Sequence, residues 1–132
     1  MADYDIPEDL RYSTEDEWAR SEDSQIVVGI TDYAQQQLGD IVFVELPELG
    51  ASFSKGDRFG VIESVKAVSD LFAPVSGEVV DVNTDLADSP ELVNSDCYGE
   101  GWMLILEPSA PEEIDELIDA AAYRKHIDER TE

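Results

Sequence analysis

This sequence of 132 residues is poor in cysteine, histidine and lysine. There is one cysteine, Cys97, one histidine, His126, and three lysines, Lys55, Lys66 and Lys125. One histidine cannot supply a metal cluster or a Ser/His pair. Cys97 has no basic neighbour that would lower its thiol pKa, so it is expected as a small, semi-buried side chain. With 32 acidic residues some carboxylate pair always lies close, so proximity alone identifies no acid–base catalyst. Lys66 is different. It lies in Glu63-Ser64-Val65-Lys66-Ala67, between strand-like runs that end near Glu63 and resume near Val68. Residues 64–67 then form a tight turn with Lys66 at the tip of a hairpin, uncovered by either strand. Such a lysine suits enzymatic acylation of its amine by a long prosthetic group. A solvated surface lysine is the alternative, although Asp or Asn is the usual occupant of such a turn. Position alone leaves both open.

The elements around this turn read as mainly β. Short runs rich in Val and Ile fall at 17–20, 25–30, 41–46, 58–63, 68–72, 78–82 and 102–106, punctuated by glycine and proline. Many short strands at such spacing imply a sandwich or barrel. Thr31 is placed to cap a helix over 32–38 that Gly39 ends. Ser89-Pro90-Glu91 has the form of an N-cap with proline at the first helical position, opening one turn that stops near Asn94. Ser109 and Glu112 have capping-box spacing before a final helical segment at 110–130, where Ile114, Leu117, Ile118 and Ala121 mark an apolar face. Residues 1–9 are acidic, contain Pro7 and are expected as a loose lead-in to a single domain spanning 1–132.

The charge bounds the partners. Thirty-two acidic against 8 basic residues give a formal net charge of −24, which repels nucleic acid and anionic lipid alike. No run approaches the roughly 18 apolar residues of a membrane helix. The opening Met1-Ala2-Asp3-Tyr4-Asp5 resembles neither a signal peptide nor an Arg-rich transit peptide, so the chain is expected to be either cytoplasmic or already processed. A single cysteine fits a reducing compartment. Acidic residues spread along the chain, with lysine scarce, point to a halophile's prokaryotic cytoplasm, because such charge is self-repelling unless salt screens it; an ordinary acidic protein is the alternative.

Five blocks extend the pattern around Lys66. They are Leu10-Arg11-Tyr12; Glu17-Trp18; Gly29-Ile30-Thr31-Asp32-Tyr33-Ala34-Gln35; Leu38-Gly39-Asp40-Ile41-Val42-Phe43-Val44-Glu45-Leu46-Pro47; and Gly101-Trp102. Together with Glu63-Ser64-Val65-Lys66-Ala67 and Ala73-Pro74-Val75-Ser76-Gly77-Glu78-Val79, the chain resembles the H proteins of the glycine cleavage system, in family order over about residues 10 to 125. The resemblance implies a hybrid barrel-sandwich fold with short helices and a C-terminal helix. It implies a non-catalytic carrier with lipoate in amide linkage on Lys66. Such a carrier takes an aminomethyl group from the pyridoxal-phosphate glycine decarboxylase (P protein) to the tetrahydrofolate-dependent aminomethyltransferase (T protein), and is reoxidised by dihydrolipoyl dehydrogenase (L protein). Glu17 and Asp70 match family positions lining the cleft where the loaded arm rests. Glu63 and Ser64 are expected to help the lipoyl-attaching enzymes read the hairpin, with turn geometry as the competing role.

An arm of this kind reaches about 14 Å from Cα to the dithiolane sulfurs by standard bond lengths. It can enter a partner's pocket while the domain stays outside, and meeting several enzymes in turn suits a monomer. The chain departs from the family at Asp16, where His is common, and at Glu15, where a small polar residue is common. Both changes add negative charge near the implied cleft. Within carriers, a lipoyl domain of a 2-oxoacid dehydrogenase or a lipoate relay is the alternative, but those dehydrogenase domains usually carry Asp where Val65 precedes the lysine. A biotin carrier would flank its lysine with methionines. A stand-alone enzyme built on paired carboxylates is the reading from a different class.

Overall fold

The structure, a computed structural model, describes residues 4–130. It is mainly β, as expected, with two antiparallel sheets. The larger contains β1 (Arg11–Tyr12), β2 (Glu17–Glu22), β3 (Gln25–Ile30), β9 (Leu104–Pro108), β8 (Gly77–Val82) and β5 (Ser52–Phe53), in that spatial order. The smaller places β6 (Arg58–Ser64) between β4 (Ile41–Glu45) and β7 (Val68–Phe72). Inward residues of both sheets form one apolar core, including Val28 and Leu106 from the larger and Val44, Ile62 and Leu71 from the smaller. This is a barrel-sandwich.

Local chemistry explains the hairpins. Asp23 and Ser24 both have positive φ, 50° and 69°, the backbone that closes a two-residue β2–β3 turn in register with Glu22 opposite Gln25. Thr31 caps α1 (Asp32–Leu38) by accepting from the Ala34 N–H, and Gly39 follows at φ 84°. Both features match the sequence expectation. β1 and β5, two residues each, escape a period-based reading.

Two helical expectations need correction. Ser89 does not open a helix. It ends α2 (Asp85–Asp88), and α3 (Leu92–Ser95) begins after Glu91, with no side-chain cap. Nor does Ser109 start a continuous C-terminal helix. A 3-10 turn runs over Pro111–Glu116, Leu117 is extended, and α4 spans Ala120–Arg130. The break has a tertiary cause. Tyr12 and Ile118 exchange backbone hydrogen bonds of 2.8 and 2.9 Å across the free edge of β1. Leu117 packs into the main core while Ile118 packs against a second apolar cluster, burial that one straight helical face could not provide. Asp119 then caps α4 by accepting from Ala122 N–H at 2.9 Å.

That second cluster joins Ile6, Leu10, Tyr12, Trp18, Val27, Tyr33, Ala120, Tyr123 and Ile127. Residues 4–9 carry no strand or helix yet are anchored here: Ile6 is buried, and Tyr4 packs edge-on against Tyr33. Positions 1–3 of the expected lead-in lie outside the described residues. Trp18 is fully buried, donates its indole N–H to Cys97 O at 3.0 Å, and lies flat on Gly29, where a Cβ would sit 2.7 Å from the ring. Gly29→Ala is therefore expected to lower stability by about 1–3 kcal/mol through overpacking, read as a shift in the urea midpoint; an unchanged midpoint would mean the indole moves freely. No helix among the described residues is long and apolar enough to cross a membrane.

Candidate functional site

The β6–β7 hairpin carries Lys66 at its tip. Glu63 pairs with Val68, and Ser64 N–H donates to Ala67 O at 2.8 Å, so Val65 and Lys66 are the central residues of the turn. Ser64 Oγ accepts from the backbone N–H groups of Lys66 (3.2 Å) and Ala67 (3.0 Å), fixing the turn from within. Val65 N–H donates to Asp40 O at 3.0 Å, tying the tip to the segment entering β4. Glu63 lies in register between Phe43 of β4 and Val68 of β7, on one face of the smaller sheet. Lys66 itself is exposed. Its stem lies over the end of α1, where a Cβ on Gly39 would be 3.3 Å from Lys66 Cε. Gly39 thus serves twice, supplying a positive-φ helix terminus and leaving room for the lysine.

Beside this tip is a cleft of about 150 Å³. One wall is the segment Glu15, Asp16 and Glu17; another is α1 through Ala34, Gln37 and Leu38; the third is β7 through Ser69, Asp70 and Leu71. Ile30 and Ile62 lie between them. Glu17 and Asp70, 53 positions apart in the sequence numbering, meet here. Asp70 is exposed and faces Arg58 at 3.4 Å. Glu17 is 2% exposed, accepts from Ser13 Oγ at 2.7 Å and from Phe72 N–H at 3.2 Å, and thereby joins β2 to β7. Burial pushes its carboxyl up to about 8, opposed by those two hydrogen bonds and reinforced by Asp16 and Glu15. Glu63 and Ser64 belong to the hairpin and do not line the cleft.

Ser13, which holds Glu17, went unnoticed in the sequence, where a serine in Ser13-Thr14-Glu15 carries no signal beyond a turn. Glu17 also borders a second cleft of about 270 Å³, spanned by the Lys55–Glu116 ion pair at 2.9 Å. Cys97 is buried, and burial pushes its thiol up to about 12, leaving it inert. A cleft lined by both apolar side chains and carboxylates suits a flexible, largely apolar arm that ends in a cation.

Comparison with known proteins follows the same lines. The family model for the glycine cleavage H-protein matches residues 10–130. A glycine cleavage system H protein from Anaeromyxobacter sp. (strain K) is 60% identical over 126 residues, covering 96% of this chain and 98% of the relative. The one from Symbiobacterium thermophilum is 61% identical over 118 residues, covering 89% and 92%. In structure, the crystal form of a glycine cleavage system H protein from Mycobacterium marinum superposes with a TM-score of 0.84 at 42% identity, covering 91% of this chain and 97% of that one. The chain belongs to the glycine cleavage H-protein family.

Proposed function

We propose that the chain is the lipoyl-bearing carrier of a glycine cleavage system. It takes the aminomethyl group of glycine from the pyridoxal-phosphate decarboxylase to the tetrahydrofolate-dependent aminomethyltransferase, and dihydrolipoyl dehydrogenase restores it. The observation that carries this reading is an exposed lysine at a hairpin tip beside a cleft built of apolar side chains and carboxylates. The residues fit the group: Lys66 Nζ offers the amine for the amide bond, and its stem lies over Gly39 at the end of α1, the helix whose Leu38 lines the cleft. Lipoate bound there supplies a dithiolane that accepts a carbon fragment together with two electrons.

The chain's own residues do the rest. Ser64 and Asp40 hold the turn so that Lys66 projects. Glu63 and Ser64 present the hairpin to the lipoyl-attaching enzymes. Glu17 and Asp70 receive the cationic end of the loaded arm, while Ile30, Leu38 and Ile62 cover its apolar length and exclude water. The chain performs no catalysis itself and works as a monomer in the cytoplasm.

Reconstitution with the three partner enzymes tests the reading. Exchange of labelled bicarbonate into glycine should require the lipoylated chain and saturate with it. Exchange without it, or equal service to a 2-oxoacid dehydrogenase, would contradict the reading. Turnover of glycine by the unmodified chain alone would favour an enzyme built on its carboxylates.

The charge supports a salt-rich cytoplasm as the setting. The screening length falls from about 10 Å at 0.1 M to about 3 Å at 1 M salt, so repulsion among surface carboxylates weakens steeply. The melting temperature should rise between low and molar KCl; no rise would remove the halophile reading.

A further inference from the structure

Two walls of the cleft converge on one buried tyrosine in the C-terminal helix. Tyr123 is 0% exposed and stacks on Tyr12 with centroids 4.8 Å apart and rings 5° from parallel. Its hydroxyl lies 2.6 Å from Thr31 Oγ1 and donates to Asp16 Oδ1 at 2.9 Å. Thr31 is the cap of α1, accepting from Ala34 N–H at 3.2 Å, and Ala34 lines the cleft. Asp16 is the middle residue of the opposing wall. It holds a φ of 74° and receives Thr31 N–H at its own carbonyl, 3.0 Å away. Arg130, from the last turn of α4, closes the arrangement. Its guanidinium meets Asp16 at 2.5 Å (Nη2 to Oδ1) and 3.3 Å (Nη1 to Oδ2) and lies over the Tyr33 ring, 4.7 Å from the centroid. Neither Tyr123 nor Arg130 lines the cleft.

We propose that Tyr123 and Arg130 are positioning residues that set the spacing between the 15–17 wall and α1, and so hold the cleft in the shape that receives the arm on Lys66. The inference rests on the carrier reading for the arm's presence, while the latch itself belongs to the unmodified chain. A residue with left-handed backbone needs external support when it is not glycine. Here two side chains from α4 supply it, more than a hundred positions away in sequence. The Asp16 carboxylate accepts from both at once, from the Tyr123 hydroxyl and from the Arg130 guanidinium. The latch therefore links the C-terminal helix to the cleft without touching whatever lies in it.

The test compares Tyr123→Phe with Ile127→Val in the full chain. The first removes the hydroxyl and keeps the stack; the second trims a buried methyl in the same helix and leaves the latch intact. Amide hydrogen exchange of the unmodified protein is read at Thr31 and Ala34 relative to the central strands β3 and β9. Loss of the hydroxyl should raise that ratio about tenfold, the cost of one buried hydrogen bond, and Ile127→Val should leave it unchanged. Arg130→Lys keeps the charge but loses the planar fork, and should raise the ratio by less. In the lipoylated, loaded chain, spontaneous loss of the carried fragment should be several-fold faster in Tyr123→Phe than in Ile127→Val. An unchanged exchange ratio, or the same rise in both variants, would overturn the proposal. So would a normal ratio shift with no change in the loss rate, because the cleft would then not depend on the latch. Failure of Lys66 to accept lipoate at all would remove the carrier reading and this proposal with it, an outcome distinct from any exchange result.

Discussion

Lys66→Arg is expected to abolish the adduct and bring reconstituted glycine–bicarbonate exchange down to the level seen without the protein. The guanidinium is protonated at every relevant pH and is not a nucleophile for amide formation. Lys55 and Lys125 offer no substitute, because neither stands at a hairpin tip; Lys55 is held by Glu116 at 2.9 Å and Lys125 lies within α4. The fold should be indifferent to the change. Lys66 is exposed and its turn is held by Ser64 Oγ and by backbone bonds, so stability should move by less than about 0.5 kcal/mol. Intact mass, exchange rate and melting temperature, measured together, check all three statements. Persistent exchange by the variant would place the carrier function elsewhere.

Glu17→Gln should produce the largest change in how stability depends on pH. The carboxyl of Glu17 stands at about 8 in the folded protein against 4.5 for an unperturbed glutamate. The folded state therefore holds this proton more tightly than the unfolded one. Stability is complete below about pH 4.5, declines as pH rises from there, and has lost the whole contribution once pH exceeds about 8. A shift of this size corresponds to a few kcal/mol, about 1.4 per unit. Glutamine keeps the shape and an acceptor for Phe72 N–H but carries no charge at any pH. The variant should match the parent near pH 4 and exceed its melting temperature by several degrees at pH 8.5. A pH-independent difference between the two would show that burial does not govern this group. In the proposed carrier the same proton has a further role. A cation entering beside Glu17 favours the ionised form, so its entry near pH 7 should release a proton to solvent.

Much of the frame is legible in local pattern. The strands beside Lys66 follow from Val and Ile runs broken at residues 64–67, and α1 from Thr31 and Gly39 at its ends. What is not legible depends on contacts far apart in sequence. Leu117 and Ile118 sit on one face of a helical pattern, yet the unpaired edge of β1 draws Ile118 into a strand bridge and ends the helix before it begins. Glu17 is one of 32 acidic residues, and nothing in its neighbours announces that it is the one, among the described residues, buried between two clefts. The resemblance pointed to it; its hydrogen bonds to Ser13 and Phe72 come from folding. Asp16 reads as added charge beside the cleft, whereas the fold turns it into the anchor of the C-terminal helix through Tyr123 and Arg130.

The central claim is that Lys66 carries the prosthetic group. Intact mass of the protein purified from lipoate-replete cells of its native host, followed by peptide mapping across residues 58–72, measures this directly. A single lipoyl adduct on Lys66 is the expected result. A biotinyl adduct there, or an unmodified lysine, would contradict the account.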